Sequence, residues 1–209
     1  YLFVRSDKET KYRTLEGHPV SRIDFDSIRD ARQFQDTYKD VANMPIYGME
    51  KFVYTYLADH FRNTVPYVKG DIVEWFLDIE TIGDGSFPDI ETANQDVVAI
   101  TIRIKETRWV FGLKDFKTDD PNILYTKFES EEKLLQAFVN FCRSPIHRPD
   151  VITGWYIEFF DIPYLVNRIR RVLGEEVAKS LSPWGILTSR EVDIRGRIHT
   201  VYTPVGITI

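Results

Sequence analysis

Hydrophobic and polar residues follow two patterns along this chain, and the first extends to about residue 72. Short strand-like runs occur at residues 2–4 and 12–15, and a helix-like spacing follows Ser27, a residue type that caps helix N-termini. A second helix is predicted at residues 49–61. The apolar positions with helical spacing are Ile28, Ala31, Phe34, Tyr38 and Val41 in the first helix and Phe52, Val53, Tyr56 and Leu57 in the second. We therefore predict a smaller α+β domain over residues 1–72.

The second pattern begins after Pro66 and Gly70, which interrupt the chain, and we predict a domain of residues 73–209. Its predicted elements are a strand at 75–80, a hairpin of 96–105 and 108–113, a helix from Ser130, a buried strand at 151–155, a helix at 163–173 ended by Gly174, and a hairpin at 190–202. Strands alternating with helical crossovers predict a mixed sheet covered by helices. The fold class is therefore α/β.

Composition narrows the possible functions of the 209 residues. The formal net charge of −5 excludes a generally basic nucleic-acid coat but allows a local basic patch. The single cysteine, Cys142, cannot form an internal disulfide. The absence of a long apolar run and of a signal peptide predicts no membrane partner. Because the sequence begins with Tyr1 and stops in a strand-like run, we expect a fragment of a longer protein.

Two acidic residues end the first strand of the second domain, in the segment FLDIET. Residues two apart in a strand point to the same face, so the carboxylates of Asp78 and Glu80 should project together. Such a pair either lies where the strand enters a polar loop or is neutralised by a divalent cation. The tripeptide alone leaves both alternatives open.

Asp161 follows the predicted strand at 151–155 and lies two residues before Pro163, near a helix start. It is either an acid of the N-cap or first turn, which helix starts favour, or a third carboxylate at the end of the strand that carries Asp78 and Glu80. Three hard oxygen ligands would suit Mg²⁺ or Mn²⁺ better than zinc.

The segments FLDIET and FDIPY, about eighty residues apart, resemble the first two exonuclease motifs of family B DNA polymerases. The chain is most similar to the replicative polymerases of T-even-type bacteriophages. The segments that carry this resemblance are YLFVRSDKETKY, SIRDARQF, MEKF, VITGW, FDIPYLVNRI and GEEVAKSLSP. The likeness covers essentially the whole sequence.

The resemblance implies a ribonuclease-H-like 3′→5′ proofreading exonuclease domain, preceded by part of a polymerase amino-terminal domain. It implies two divalent ions, Mg²⁺ or Mn²⁺, with Asp78 bridging both, Glu80 holding the first and orienting its water, and Asp161 supporting the second. The implied partners are a single-stranded 3′ end, a primer-template, the rest of the polymerase and a sliding clamp. The implied location is the cytoplasm of an infected bacterium.

The resemblance also implies DNA contacts. Phe87 would stack near the terminal base, although it could instead plug its own loop, and Phe160 would pack beneath the site. Arg195 and Arg197 lie in a hairpin that resembles the family's strand-separating β-hairpin.

Two departures from the family affect the expected activity. Tyr156 stands where the family's second motif has an Asn that helps to place the primer end, so the resemblance implies a DNA contact at Tyr156 with altered strand binding. The third motif does not occur before residue 209. The chain alone is therefore expected to degrade DNA weakly or not at all, and polymerase activity would belong to residues outside it. The alternative is a module that binds DNA or its own messenger RNA without catalysis. A free-standing nuclease is a weaker alternative, because the first seventy-four residues also resemble the polymerases.

Overall fold

A computed structural model describes residues 1–61, 68–83, 85 and 87–209. The chain forms two compact units, Tyr1–Tyr67 and Val68–Ile209. The boundary that the sequence predicts after residue 72 stays a prediction, and Pro66, one of the two residues used to place it, lies outside the described residues.

The first unit is a small antiparallel sheet with two helices. Its elements are β1 (Leu2–Arg5), β2 (Tyr12–Arg13), β3 (Pro19–Ile23), α1 (Ile28–Tyr38), β4 (Ile46–Tyr47) and α2 (Phe52–His60). The strand order is β2-β3-β1-β4, and each neighbouring pair is antiparallel. Leu2, Ala31 and Phe52 form its buried core.

The sequence predicts the two helices of this unit but not their full extent. The Ser27 hydroxyl accepts a hydrogen bond from the Asp30 amide, which confirms the predicted cap. Helix α1 ends at Tyr38, so Val41 lies beyond it and is exposed. In α2 Phe52 is buried whereas Val53 is exposed. The prediction from helical spacing therefore assigned more residues to the buried face than the structure places there. The short strands β3 and β4 were not predicted.

The second unit contains a five-stranded mixed sheet. Its elements are a 3₁₀ turn (Lys69–Asp71), β5 (Glu74–Thr81), β6 (Val97–Ile104), β7 (Thr107–Gly112), β8 (Ile123–Lys127), α3 (Glu131–Arg143), β9 (Val151–Thr153), α4 (Asp161–Leu173), α5 (Glu175–Lys179), β10 (Leu187–Ile194) and β11 (Arg197–Pro204). The order in the sheet is β8-β7-β6-β5-β9, and β10 and β11 form a separate hairpin. Strands β5-β6 and β6-β7 are antiparallel, whereas β5-β9 and β7-β8 are parallel. The predicted mixed α/β class is confirmed.

Alternation along β5 explains how this sheet packs. Trp75, Leu77 and Ile79 point into the core against α3 and α4, while the residues between them face outward. Helix α3 begins after Ser130, whose hydroxyl accepts a hydrogen bond from the Lys133 amide, as a capping residue does.

No helix in the described parts of the chain is long and apolar enough to cross a bilayer.

The sequence prediction was wrong near the second motif. Strand β9 stops at Thr153, and Trp155, predicted to lie in a buried strand, is 94% exposed. The chain turns there, and α4 begins at Asp161, two residues earlier than predicted. Apolar character alone placed Trp155 in the strand, because alternation cannot be read over so short a run. Strand β8 and helix α5 were also missed.

Candidate active site

The outward face of β5 presents the two carboxylates that the sequence singled out. Asp78 and Glu80 are both exposed, and the neighbouring Leu77 and Ile79 are buried on the opposite side. The period of a strand therefore places both carboxylates on one face, as predicted.

Asp161, the first residue of α4, is brought to the same part of β5. Its side chain is only 3% exposed, and its Oδ1 accepts a hydrogen bond of 3.1 Å from the amide of Ile79, the residue between Asp78 and Glu80. Asp161 is thus a first-turn acid, as one alternative proposed, and it also reaches the strand that carries the other two acids, as the second alternative proposed.

Burial and the neighbouring acids both act on the Asp161 carboxyl. The pKa of Asp161 is raised from 3.8 to about 6, mainly because burial penalises the carboxylate. The negative charges of Asp78 and Glu80 raise this pKa further, whereas the Ile79 amide opposes the shift. A negative charge on Asp161 is therefore disfavoured both by its burial and by its two acidic neighbours, and a cation there would relieve both costs.

The chemistry of these donors fits a hard divalent cation, because all three are carboxylates. Within residues 1–61, 68–83, 85 and 87–209, however, no group of three or more His, Cys, Asp or Glu side chains is placed to hold a metal ion. The assignment of Asp78, Glu80 and Asp161 as ligands therefore stays a prediction.

Gly154 allows the turn that carries Asp161 to approach β5. A Cβ atom on Gly154 would lie 2.5 Å from the carbonyl oxygen of Leu77, closer than such atoms can approach. Strand β9 pairs with β5 only as far as Phe76, so Gly154 lies just past the last paired residues. Sequence analysis missed this residue, although a glycine directly after a strand can indicate close backbone approach.

Phe87 and Phe160 form an aromatic pair beside the acids. Their ring centroids are 5.0 Å apart, and the Phe160 ring also contacts Tyr164 of α4 at 5.7 Å. Phe87 is 76% exposed, so it does not plug its own loop. An exposed ring supported by a half-buried one is a surface on which a base could stack.

The β10-β11 hairpin carries the basic residues that the sequence identified. Arg195, with φ 55°, and Gly196, with φ 80°, form its turn, and Arg197 begins β11. Arg190 Nη2 bonds Glu158 Oε1 at 2.6 Å, which ties the hairpin to the turn before α4. The exposed guanidinium groups of Arg195 and Arg197 therefore lie on an element anchored beside the second motif.

Tyr156 lies in that turn with φ 58°, a left-handed conformation that bulky residues adopt at a cost. Its amide carbonyl accepts hydrogen bonds from the amides of Phe159 and Phe160, which keeps the turn closed. Its side chain is 51% exposed, so little burial offsets the backbone strain.

We expect Tyr156→Asn to raise the free energy of unfolding by about 0.5–1 kcal/mol, because Asn tolerates the left-handed region better. Urea denaturation would measure the change. Tyr156→Val is the contrasting variant, since a β-branched side chain disfavours positive φ and should destabilise the protein. Equal stability of the two variants would contradict the strain argument.

Polar residues of α4 are functional candidates that sequence analysis did not identify. Asn167 and Arg168 lie on the largely buried α4 and bond other parts of the unit. The available signal was the pair NR within the apolar run PYLVNRI, since buried polar groups require partners.

The chain belongs to the family B DNA polymerases, because the family model "DNA polymerase family B, exonuclease domain" matches residues 57–202. The exonuclease domain expected from the two motifs is therefore present.

The similarity to T-even-type phage polymerases is also confirmed. The DNA-directed DNA polymerase of Enterobacteria phage T4 is 27% identical over 100% of this chain and 26% of its own length. That of Escherichia phage RB69 is 30% identical over 96% of this chain and 25% of its own length. The DNA polymerase delta catalytic subunit of Bos taurus is 56% identical over 41 residues, 20% of this chain and 4% of its own length. The chain thus spans about a quarter of the length of the phage relatives that it matches.

Proposed function

We propose that this chain is part of a longer DNA-directed DNA polymerase and hydrolyses the terminal phosphodiester of a single-stranded 3′ end, as a proofreading exonuclease does. The observation that carries the proposal is the meeting of Asp161 with β5 between Asp78 and Glu80, whose negative charges raise the pKa of the buried Asp161. Family membership and the phage relatives support the same activity.

In this proposal Asp78, Glu80 and Asp161 hold Mg²⁺ or Mn²⁺, two ions in the complete site. Bound divalent ions would neutralise the scissile phosphate and lower the pKa of the attacking water. Glu80 would accept a hydrogen bond from that water and orient it for in-line attack. The 3′ oxygen on the polymer side leaves, and a nucleoside monophosphate is released.

The surroundings of the acids support binding of a single strand. The exposed ring of Phe87 would stack on the terminal base, with Phe160 beneath it. Tyr156 would contact the strand where the family motif has Asn. Arg195 and Arg197 at the hairpin tip would contact phosphates and help to separate the primer end from its template.

A labelled oligonucleotide tests the proposal in the polymerase that contains this chain. With Mg²⁺, a 5′-labelled single strand should shorten one nucleotide at a time from its 3′ end, and EDTA should stop the reaction. Asp78→Asn should lower the rate by about 1,000-fold, because a lost metal ligand removes several kcal/mol of transition-state stabilisation.

Asp119→Asn, an exposed aspartate outside the proposed site, is the control and should shorten the strand at the wild-type rate. Unchanged shortening by Asp78→Asn would refute the assigned site, and release of internal fragments would refute the exonuclease direction.

A second candidate is binding of DNA or messenger RNA without cleavage. The observation that favours it is Tyr156, which replaces the motif's Asn and occupies a strained turn beside the hairpin. Retention of a single strand by wild-type protein, with no shortening in Mg²⁺ or Mn²⁺, would support this candidate. Contacts with a sliding clamp also remain part of the proposal for the whole polymerase.

A further inference from the structure

One side of α4 fastens the loop that follows the first motif. We call residues 87–96, between β5 and β6, the first-motif loop. Four residues of α4, at positions 164, 167, 168 and 171, share one helix face, because 167 and 168 each lie three or four residues from both 164 and 171. Their hydrogen bonds run from Tyr164 Oη to the carbonyl of Gln95 (2.6 Å), from Asn167 Nδ2 to Ile90 (2.8 Å), from Arg168 Nη1 to Ala93 (2.9 Å) and from Arg171 Nη1 to Thr92 (3.1 Å).

Asn167 also reaches the hairpin. Its Oδ1 accepts a hydrogen bond of 3.0 Å from the hydroxyl of Tyr202 on β11. The Tyr202 ring lies beneath the Arg170 guanidinium, whose carbon is 4.8 Å from the ring centroid. The Asn167 amide therefore donates to the first-motif loop and accepts from the hairpin, and its Oδ1 also accepts a longer hydrogen bond of 3.4 Å from Arg170 Nη1.

The loop and the hairpin border a cavity of about 400 Å³, and the Asn167 amide lies in its wall. The cavity is lined by Asp89, Ile90, Glu91, Phe159, Asn167 and, from β11, Ile198, His199, Thr200 and Tyr202. Contacts such as these join the two sides of the cavity, namely the first-motif loop, which begins at Phe87, and the hairpin, whose turn contains Arg195. A change in the amide would alter that spacing without touching the acids.

We propose that Asn167 is a positioning residue that couples the first-motif loop to the β10-β11 hairpin. It fixes the distance between Phe87, which receives the terminal base, and the arginines that separate the strands. The inference rests on the proposed function, and it predicts that Asn167 matters most when a paired end must first be separated.

The test compares two substrates in the polymerase that contains this chain: a single strand and a duplex with a mispaired 3′ end. The measured quantity is the excision rate on the duplex divided by the rate on the single strand. Tyr202→Phe should lower this ratio about fivefold, because it removes one hydrogen bond, and Asn167→Leu about tenfold. The double variant should resemble Asn167→Leu, since both changes break one connection.

Asn140→Leu makes the same substitution on the exposed side of α3 and should leave the ratio unchanged. Asn167→Asp keeps the acceptor for Tyr202 but loses the donor to Ile90, and it provides a second variant if Asn167→Leu fails to fold. A merely structural role would lower both rates equally. Equal losses on the two substrates, or multiplicative effects in the double variant, would overturn the proposal.

Amide hydrogen exchange gives a readout that does not depend on nuclease activity. Tyr202→Phe alters a hydroxyl on β11, yet it should increase exchange at residues 90–95 about fivefold, because the effect passes through Asn167. Unchanged exchange in the loop would refute the coupling. If wild-type protein cuts neither substrate, the proposed function fails, while the exchange result still decides whether Asn167 couples the two elements.

Discussion

Replacing Arg168 with methionine should lower the free energy of unfolding by about 3–5 kcal/mol, the usual cost of removing one partner from a buried ion pair. Arg168 is only 6% exposed. Its guanidinium bonds Glu131 through Nε–Oε1 (2.7 Å) and Nη2–Oε2 (2.5 Å), and it also bonds Asp96 and the Ala93 carbonyl. The hydrogen bond to Glu131 raises the pKa of Arg168, so the guanidinium stays charged. Methionine fills similar space but leaves the Glu131 charge without its partner.

Two further variants separate this effect from a loss of packing, with urea denaturation as the measurement. Arg168→Met combined with Glu131→Leu should recover part of the loss, because the unpaired charge is removed. Recovery should be incomplete, since Glu131 Oε1 also accepts a hydrogen bond from the Val97 amide at 2.7 Å. Arg108→Met, in the exposed pair with Asp120, should cost under about 1 kcal/mol. A similar cost at Arg168 would contradict the buried-pair argument.

The elements predicted best are those whose residues interact mainly with close neighbours in sequence. The short apolar run that ends in Asp78 and Glu80 predicted β5, and the turn at Arg195 and Gly196 predicted the β10-β11 hairpin. Ser130 and the apolar spacing behind it gave α3. Caps, turns and periodicity are local properties, so a single sequence records them directly.

The elements predicted badly depend on residues far away in the sequence. Strand β8 exists through its parallel pairing with β7, and β9 consists of three residues beside β5. The exposed Trp155 follows from Gly154, which packs against the Leu77 carbonyl and ends the strand. Such contacts depend on the assembled sheet, and apolar composition could not reveal them.

The candidate site shows the same difference between features set by local sequence patterns and features set by distant contacts. Strand geometry placed Asp78 and Glu80 on one face. The residue pattern offered Asp161 at the same strand end as one of two alternatives, and the resemblance to polymerases favoured that alternative. The structure adds the hydrogen bond from the Ile79 amide to Asp161, which no local pattern contains. The connections made by Asn167 were invisible for the same reason, because their partners on the loop and on β11 are distant in sequence.

Asp161→Asn should abolish most nuclease activity and should also make the metal-free protein more stable at neutral pH. The pKa of Asp161 is about 6 in the folded protein and 3.8 ordinarily. A raised pKa means that the folded state binds its proton more tightly, so the stabilisation is fully present below about pH 4 and is lost as pH rises through about 6. The difference corresponds to about 3 kcal/mol, which wild-type protein in EDTA should lose between about pH 4 and pH 7.

The variant should lack this part of the pH dependence, because asparagine does not ionise but can still accept the hydrogen bond from Ile79. Asp119→Asn, at an exposed position, should keep the wild-type profile. If the proposed ligands are correct, Mg²⁺ at neutral pH should stabilise wild-type protein but not Asp161→Asn, and the variant's excision rate should fall about 1,000-fold. If the stability of Asp161→Asn depended on pH as strongly as that of wild type, the destabilising effect of a buried Asp161 charge would be refuted. Equal stabilisation of both proteins by Mg²⁺ would refute Asp161 as a ligand. The charged Asp161 carboxylate is thus expected to lower the free energy of unfolding of the metal-free protein, and binding of Mg²⁺ to that carboxylate is expected to restore it.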